Sequence, residues 1–208
     1  MEIVYTDLDE VLHDYRNAFF KTLEGVVGDE IDITTLPSEQ DLKPHFEEEY
    51  GMSAKDFDDI IEFLNNLTFW CPTVFSKFII DFLNTMMDNG KKVVVVTART
   101  SRRGAREIVN QIFGKDIPII GCDAQHKKYA ITGDCVFFED RADTARSVVI
   151  KNPSALVIVP KWPWNLNIKK EDDWEVKLTD QQSERIWHTQ QWEFDEKIKL
   201  IKDFKNVS

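Results

Sequence analysis

"KVVVVT", residues 92–97, sets four valines in succession between a lysine and a threonine. Successive side chains of a strand point to opposite faces, so a strand with one wet face alternates apolar and polar residues, while an unbroken β-branched run has both faces covered. Such a run belongs inside a parallel sheet sandwiched by helices. Four more apolar runs read as strands: "EIVYT" (2–6), "IPIIGC" (117–122), "CVFFE" (135–139) and "ALVIVP" (155–160). Between them, "FSKFIIDFLNTMMDNG" (75–90) and "SRRGAREIVNQIFG" (101–114) carry apolar residues at helical spacing and stop at glycine. "DTARSVVIKNP" (143–153) opens on an aspartate able to cap a helix and closes before proline. Alternating strands and helices predict an α/β fold, a doubly wound parallel sheet with right-handed crossovers.

The chain has 208 residues, 42% of them hydrophobic, enough for a sizeable core in one domain or one core with an insertion. A net charge of −11 offers no basic face to a nucleic-acid polymer or an anionic membrane. A small phosphorylated partner remains compatible, because a bound divalent cation and a few basic side chains reverse the potential locally. Cys71, Cys122 and Cys135 follow no paired spacing and read as core residues in a reducing compartment. With no basic leader and no run of roughly 18 apolar residues, the expected location is the cytoplasm.

Residues 14–71 break the strand-helix rhythm. They read as short helices at 14–27, 38–49 and 53–66, a helical insertion after the first strand, rich in aromatic residues. The expected organisation is a core of residues 1–13 and 72–175, a cap of 14–71, and a tail of 176–208. The tail is expected to end in a charged helix, about 180–204, with Ile186, Trp187, Ile198 and Ile201 as an apolar stripe. Cap and tail leave room for a homodimer.

In an open α/β sheet, ligands bind beyond the carboxyl ends of the strands. Asp7 and Asp9 follow the first strand, Thr97 and Arg99 the second, and Glu139 and Asp140 the fourth, while Lys127 and Lys128 precede the fourth. A carboxylate can attack phosphorus only if positive charge offsets the repulsion between two anions. Magnesium, which takes oxygen ligands and keeps several waters, suits this acid cluster. A second aspartate can then protonate the leaving alkoxide and deprotonate the hydrolytic water. His13, His45, His126 and His188 share no metal-ligand spacing and read as surface or capping residues.

The set "DLDEV" after strand one, "VVVVT", a lysine and "FFED" resembles the four motifs of the haloacid dehalogenase-like superfamily. Within it, "DEVLHDY", "EDRADT" and "KKYAITGDCVFFEDR" are similar to the 5'(3')-deoxyribonucleotidases. That resemblance implies a magnesium-dependent phosphomonoesterase acting on deoxynucleoside monophosphates through a phospho-aspartate. It implies Asp7 as nucleophile and metal ligand, Asp9 as acid/base and a metal ligand through its backbone carbonyl, and Asp140 with Glu139 at the metal. It further implies Thr97 and Lys128, or its neighbour Lys127, at the phosphate, with Arg99 as a further cation there. Tyr15 and Phe69 or Trp70 would line the nucleoside pocket under a closing cap. Glu10 stands where the family has glycine, and Glu139 where it has aspartate. A phosphatase for another small ester, such as a sugar phosphate, or a non-catalytic nucleotide-binding relative, shares these motifs.

Overall fold

The computed structural model describes residues 2–31, 42–162 and 177–189. Strand β1 (Ile3–Thr6) leads into α1 (Tyr15–Val27), α2 (Leu42–Tyr50) and α3 (Ala54–Asn65). Helix α4 (Ser76–Asp88), β2 (Lys92–Thr97), α5 (Arg102–Phe113) and β3 (Ile119–Gly121) follow. After a 3-10 turn come the short α6 (Lys127–Ala130), β4 (Cys135–Phe138), α7 (Ala142–Lys151) and β5 (Leu156–Pro160). The described part closes with α8 (Asp180–Glu184) and β6 (Ile186–Thr189). The six strands form one sheet in the order β3-β2-β1-β4-β5-β6. Every neighbouring pair is parallel.

The valine run does what its continuity demands. Val93 and Val95 enter a core with α4 and α5 on one face of the sheet, through Ile79, Phe82, Leu83, Ala105 and Ile108. Val94 and Val96 enter the other, with Ala145, Val148 and Val149 of α7. Each side chain so buried contributes about 1.5–3 kcal/mol. Helices start and stop on side-chain chemistry: the Ser101 hydroxyl accepts from Gly104 N at the head of α5, and Gly114 ends it at a φ of 63°. Helices α1, α2 and α3 pack on one another through a third cluster, including Phe19, Leu23, Phe46, Phe57 and Leu64.

The tail differs from expectation. In place of a helix through Ile186 and Trp187, α8 spans only Asp180–Glu184 and β6 joins the sheet, pairing Ile186 with Val157 and Trp187 with Ile158. Thr179 and Gln182 form a capping box that starts α8. The segment "IWHT" then favours a strand, with a β-branched residue at each end and an aromatic one between. Ile186 is fully buried against β5, an apolar site that the local pattern does not reveal. Ile198 and Ile201 lie outside the described residues. No helix among the described residues is long and apolar enough to cross a membrane.

Candidate active site

The order β2-β1-β4 brings the ends of three strands together. Asp7 N still donates to Phe138 O at 2.8 Å, so the residue after β1 is held in the ladder, and its Oδ1 accepts from Leu8 N at 2.8 Å. Glu139 and Asp140 follow the neighbouring β4. Carboxylate oxygens of Asp7, Glu139 and Asp140 lie within 4.8 Å of one another, and all three residues are buried. Lys127, the first residue of α6 and 1% exposed, donates from Nζ to Asp7 Oδ2 and to Glu139 Oε2, the latter at 3.0 Å. Glu139 Oε1 accepts from Arg141 N at 3.1 Å.

Burial pushes the Asp7 carboxyl upward, against the pull of Lys127. Burial raises Glu139 well above its ordinary range. For Lys127, burial works against the charge, but the carboxylates of Asp7 and Glu139 overcome it and hold the ammonium protonated. Lysine, rather than a neutral donor, therefore faces the candidate nucleophile at any physiological pH.

Lys128, expected at the phosphate, is placed elsewhere: its Nζ lies 5.4 Å from the ring centroid of Tyr129. Consecutive residues of a helix point about 100° apart, so only one of the pair can face Asp7. Thr97 ends β2, fully buried, its hydroxyl accepting from Arg99 N at 3.2 Å. Arg99 engages Asp9: Nε donates to Oδ1 at 2.9 Å and to Oδ2 at 3.0 Å. Its Cζ sits 5.3 Å from the Tyr15 ring centroid. Trp70 packs against the core and donates from Nε1 to Leu12 O at 2.8 Å, whereas Phe69 is 52% exposed.

Glu10 takes a φ of 58°, left-handed backbone in which a glycine would be unstrained. Its side chain accounts for its presence: Oε1 accepts from Arg16 N in the first turn of α1, where Asp14 also caps Asn17 N. Its carbonyl accepts from Trp162 Nε1 at 3.1 Å. Burial raises the Glu10 carboxyl to about 8. His13 is buried rather than at the surface. Nδ1 accepts from Cys71 N at 3.1 Å, and burial together with Arg99 holds the imidazole down to about 3.

No family profile and no curated protein matches the chain. Among solved structures, the chain is similar to a Thermotoga maritima protein described as a beta-phosphoglucomutase, with TM-score 0.56 and 14% identity over 98% of this chain and 99% of that one. A Clostridium difficile protein described as a phosphatase gives 0.54 at 16% identity over 95% and 98%, and a second beta-phosphoglucomutase-like protein, from Bacteroides vulgatus, gives 0.53 at 12% over 95% and 90%. The chain shares its α/β fold with these proteins.

On this fold, the donor set at the strand ends fits a magnesium ion. Asp7, Glu139 and Asp140 gather three buried carboxyl groups around the single ammonium of Lys127, an excess of negative charge that a buried site must offset. All-oxygen donors suit a hard cation. Both oxygens of Glu139 accept hydrogen bonds, from Lys127 and Arg141 N, as do both oxygens of Asp7, from Leu8 N and Lys127. Sequence reasoning had no signal for Glu10 as a cap on α1 or for His13 as a buried group, since both depend on where the insertion returns to the core.

Proposed function

We propose that the chain is a magnesium-dependent phosphomonoesterase hydrolysing deoxynucleoside 5'- or 3'-monophosphates. The observation that carries the reaction class is the buried Asp7 carboxylate at the end of β1, hydrogen-bonded to Lys127 and beside Glu139 and Asp140, with Asp9 two residues on. Asp7 attacks phosphorus, the ester P–O bond breaks with its electron pair on the leaving oxygen, and Asp9 supplies that oxygen's proton. Asp9 then takes a proton from water as the water oxygen displaces Asp7 from phosphorus, releasing phosphate. Lys127 stays protonated and offsets charge on Asp7 and on the transferred group. Magnesium, when bound, supplies further neutralisation of the phosphoryl oxygens, with Asp7, Asp140 and the backbone carbonyl of Asp9 as the groups that would hold it. Thr97 lies at the end of β2, where its backbone and hydroxyl suit a phosphate oxygen.

The nucleotide reading rests on the sequence likeness of "EDRADT" and its surroundings to the deoxyribonucleotidases, and on aromatic side chains at the start and end of the insertion. Tyr15 flanks Arg99, and the exposed Phe69 offers a face for a base. In this reading residues 14–71 act as the cap. A second reading, the same chemistry on a sugar phosphate, is favoured by the names of the Thermotoga and Bacteroides neighbours.

A panel of deoxynucleotides, ribonucleotides and sugar phosphates, run with magnesium and with chelator, tests both. Expected is turnover of deoxynucleotides that chelation abolishes, and a fall of about a thousandfold or more in Asp7→Asn. A preference for sugar phosphates over every deoxynucleotide gives the second reading, and binding of nucleotides without hydrolysis of any ester leaves a non-catalytic protein.

A further inference from the structure

Arg99, expected at the phosphate, is instead paired with Asp9. Its side chain is 1% exposed, whereas that of its partner Asp9 is 25% exposed. The guanidinium is therefore the more deeply buried partner of the pair. A buried guanidinium bonded to a more exposed carboxylate suits a group that holds Asp9 rather than one that faces the substrate.

The pairing is itself fixed. Nε donates to both oxygens of Asp9, which holds the carboxylate from one point, while Nη2 lies 2.8 Å from Oδ1 as an ion pair without hydrogen-bond geometry. Arg99 N donates to the Thr97 hydroxyl at the end of β2. The guanidinium lies against Tyr15, the first residue of α1, and α1 is pinned at that end by Glu10 and Asp14. Glu10 directly follows Asp9. Asp9, Arg99, Tyr15 and Glu10 thus close a ring in which the carboxylate is held from the sheet on one side and from the insertion on the other.

We propose that Arg99 is the positioning residue of Asp9, fixing the carboxylate that exchanges protons with the leaving group and the water, and does not bind the phosphate. This rests on the phosphatase reading above. Misplacing a proton donor slows expulsion of a poor leaving group far more than of a good one, because only the poor one needs the proton as its bond breaks.

The test compares Arg99→Gln and Arg99→Lys with the wild type on two esters, p-nitrophenyl phosphate and an alkyl phosphate that the wild type hydrolyses, with Asp9→Asn as the reference for loss of the proton donor. The ratio of the two kcat values on one preparation does not depend on how much of a variant folds. Expected is a rise in the aryl-to-alkyl ratio of about tenfold or more in Arg99→Gln, toward the Asp9→Asn value, with KM for both esters within about threefold of wild type. Arg99→Lys, which keeps charge but loses the planar fork, falls between. An unchanged ratio with KM raised for both esters makes Arg99 a phosphate contact and overturns the proposal, and equal losses of kcat on both esters make it structural. If the wild type hydrolyses neither ester, the phosphatase reading falls and takes this role with it. Turnover of both by the wild type with a flat ratio in the variants removes only the role of Arg99.

Discussion

At the scale of single residues, neighbours in sequence receive opposite fates. Lys127 is buried on Asp7 while Lys128 rests on Tyr129, although nothing in "HKKY" separates them. Lys127→Met is expected to cut turnover by about a hundredfold or more and Lys128→Ala to stay within about twofold, read by steady-state kinetics. Asp7 and Asp9 were legible because a strand end fixes where they stand; the choice of lysine was not, because it depends on the rotation of a four-residue helix. His13 carries the clearest pH signature. An unfolded histidine binds a proton near pH 6.5 and the folded one only near 3, so stability present above pH 6.5 is lost as pH falls toward 3. Between pH 7 and pH 5 the wild type is expected to lose about 2 kcal/mol more than His13→Gln, measured by urea unfolding; parallel losses would show that His13 is not the group responsible.

Among elements, α5 shows how closely the core and the returning insertion approach. A Cβ on Gly104 would lie 2.9 Å from the backbone carbonyls of both Asn65 and Leu67. Backbone cannot swing aside, so Gly104→Ala is expected to destabilise by about 1–3 kcal/mol even though alanine favours a helix by about 1. The three atoms nearest a Cβ on Gly121 all belong to the Arg102 guanidinium, the far end of a flexible side chain. Gly121→Ala should therefore cost under about 1 kcal/mol, and thermal melts of the two variants separate the cases. The five strands from β1 to β5 were legible in the apolar runs. The sixth was not, since "IWHT" is buried only because β5 leaves an unpaired edge beside it. The helices of the insertion were legible in outline from spacing and from caps such as Ser53 at α3.

For the molecule as a whole, the cluster of Phe19, Phe46, Phe57 and Leu64 is separate from the two cores that flank the sheet. Phe46 is fully buried there, and Phe46→Ala is expected to cost about 3–5 kcal/mol. The loss should appear in hydrogen exchange as faster exchange of amides in α1, α2 and α3, with those of β2 protected as before. Equal acceleration in β2 would mean that insertion and sheet unfold as one unit. The two connections between them are laced at the base: Asp14 N donates to Cys71 O, Trp70 Nε1 and Ser76 Oγ both to Leu12 O, and Thr73 Oγ1 to Val11 O. This lacing carries His13 and Glu10, the two residues whose surroundings the linear sequence least reveals.

The sequence by itself determined the parallel sheet, the placing of Asp7, Asp9, Thr97, Glu139 and Asp140 at strand ends, and the insertion after β1. Each follows from periodicity and from order along the chain, which are local properties. Only the tertiary structure decided that Lys127 rather than Lys128 meets Asp7, that Arg99 pairs with Asp9, that Glu10 accepts a left-handed backbone to hold α1, and that Ile186 joins the sheet. Those outcomes depend on which distant surfaces meet, and a side chain's partner across 90 or 120 residues is set by packing that no window of the sequence contains.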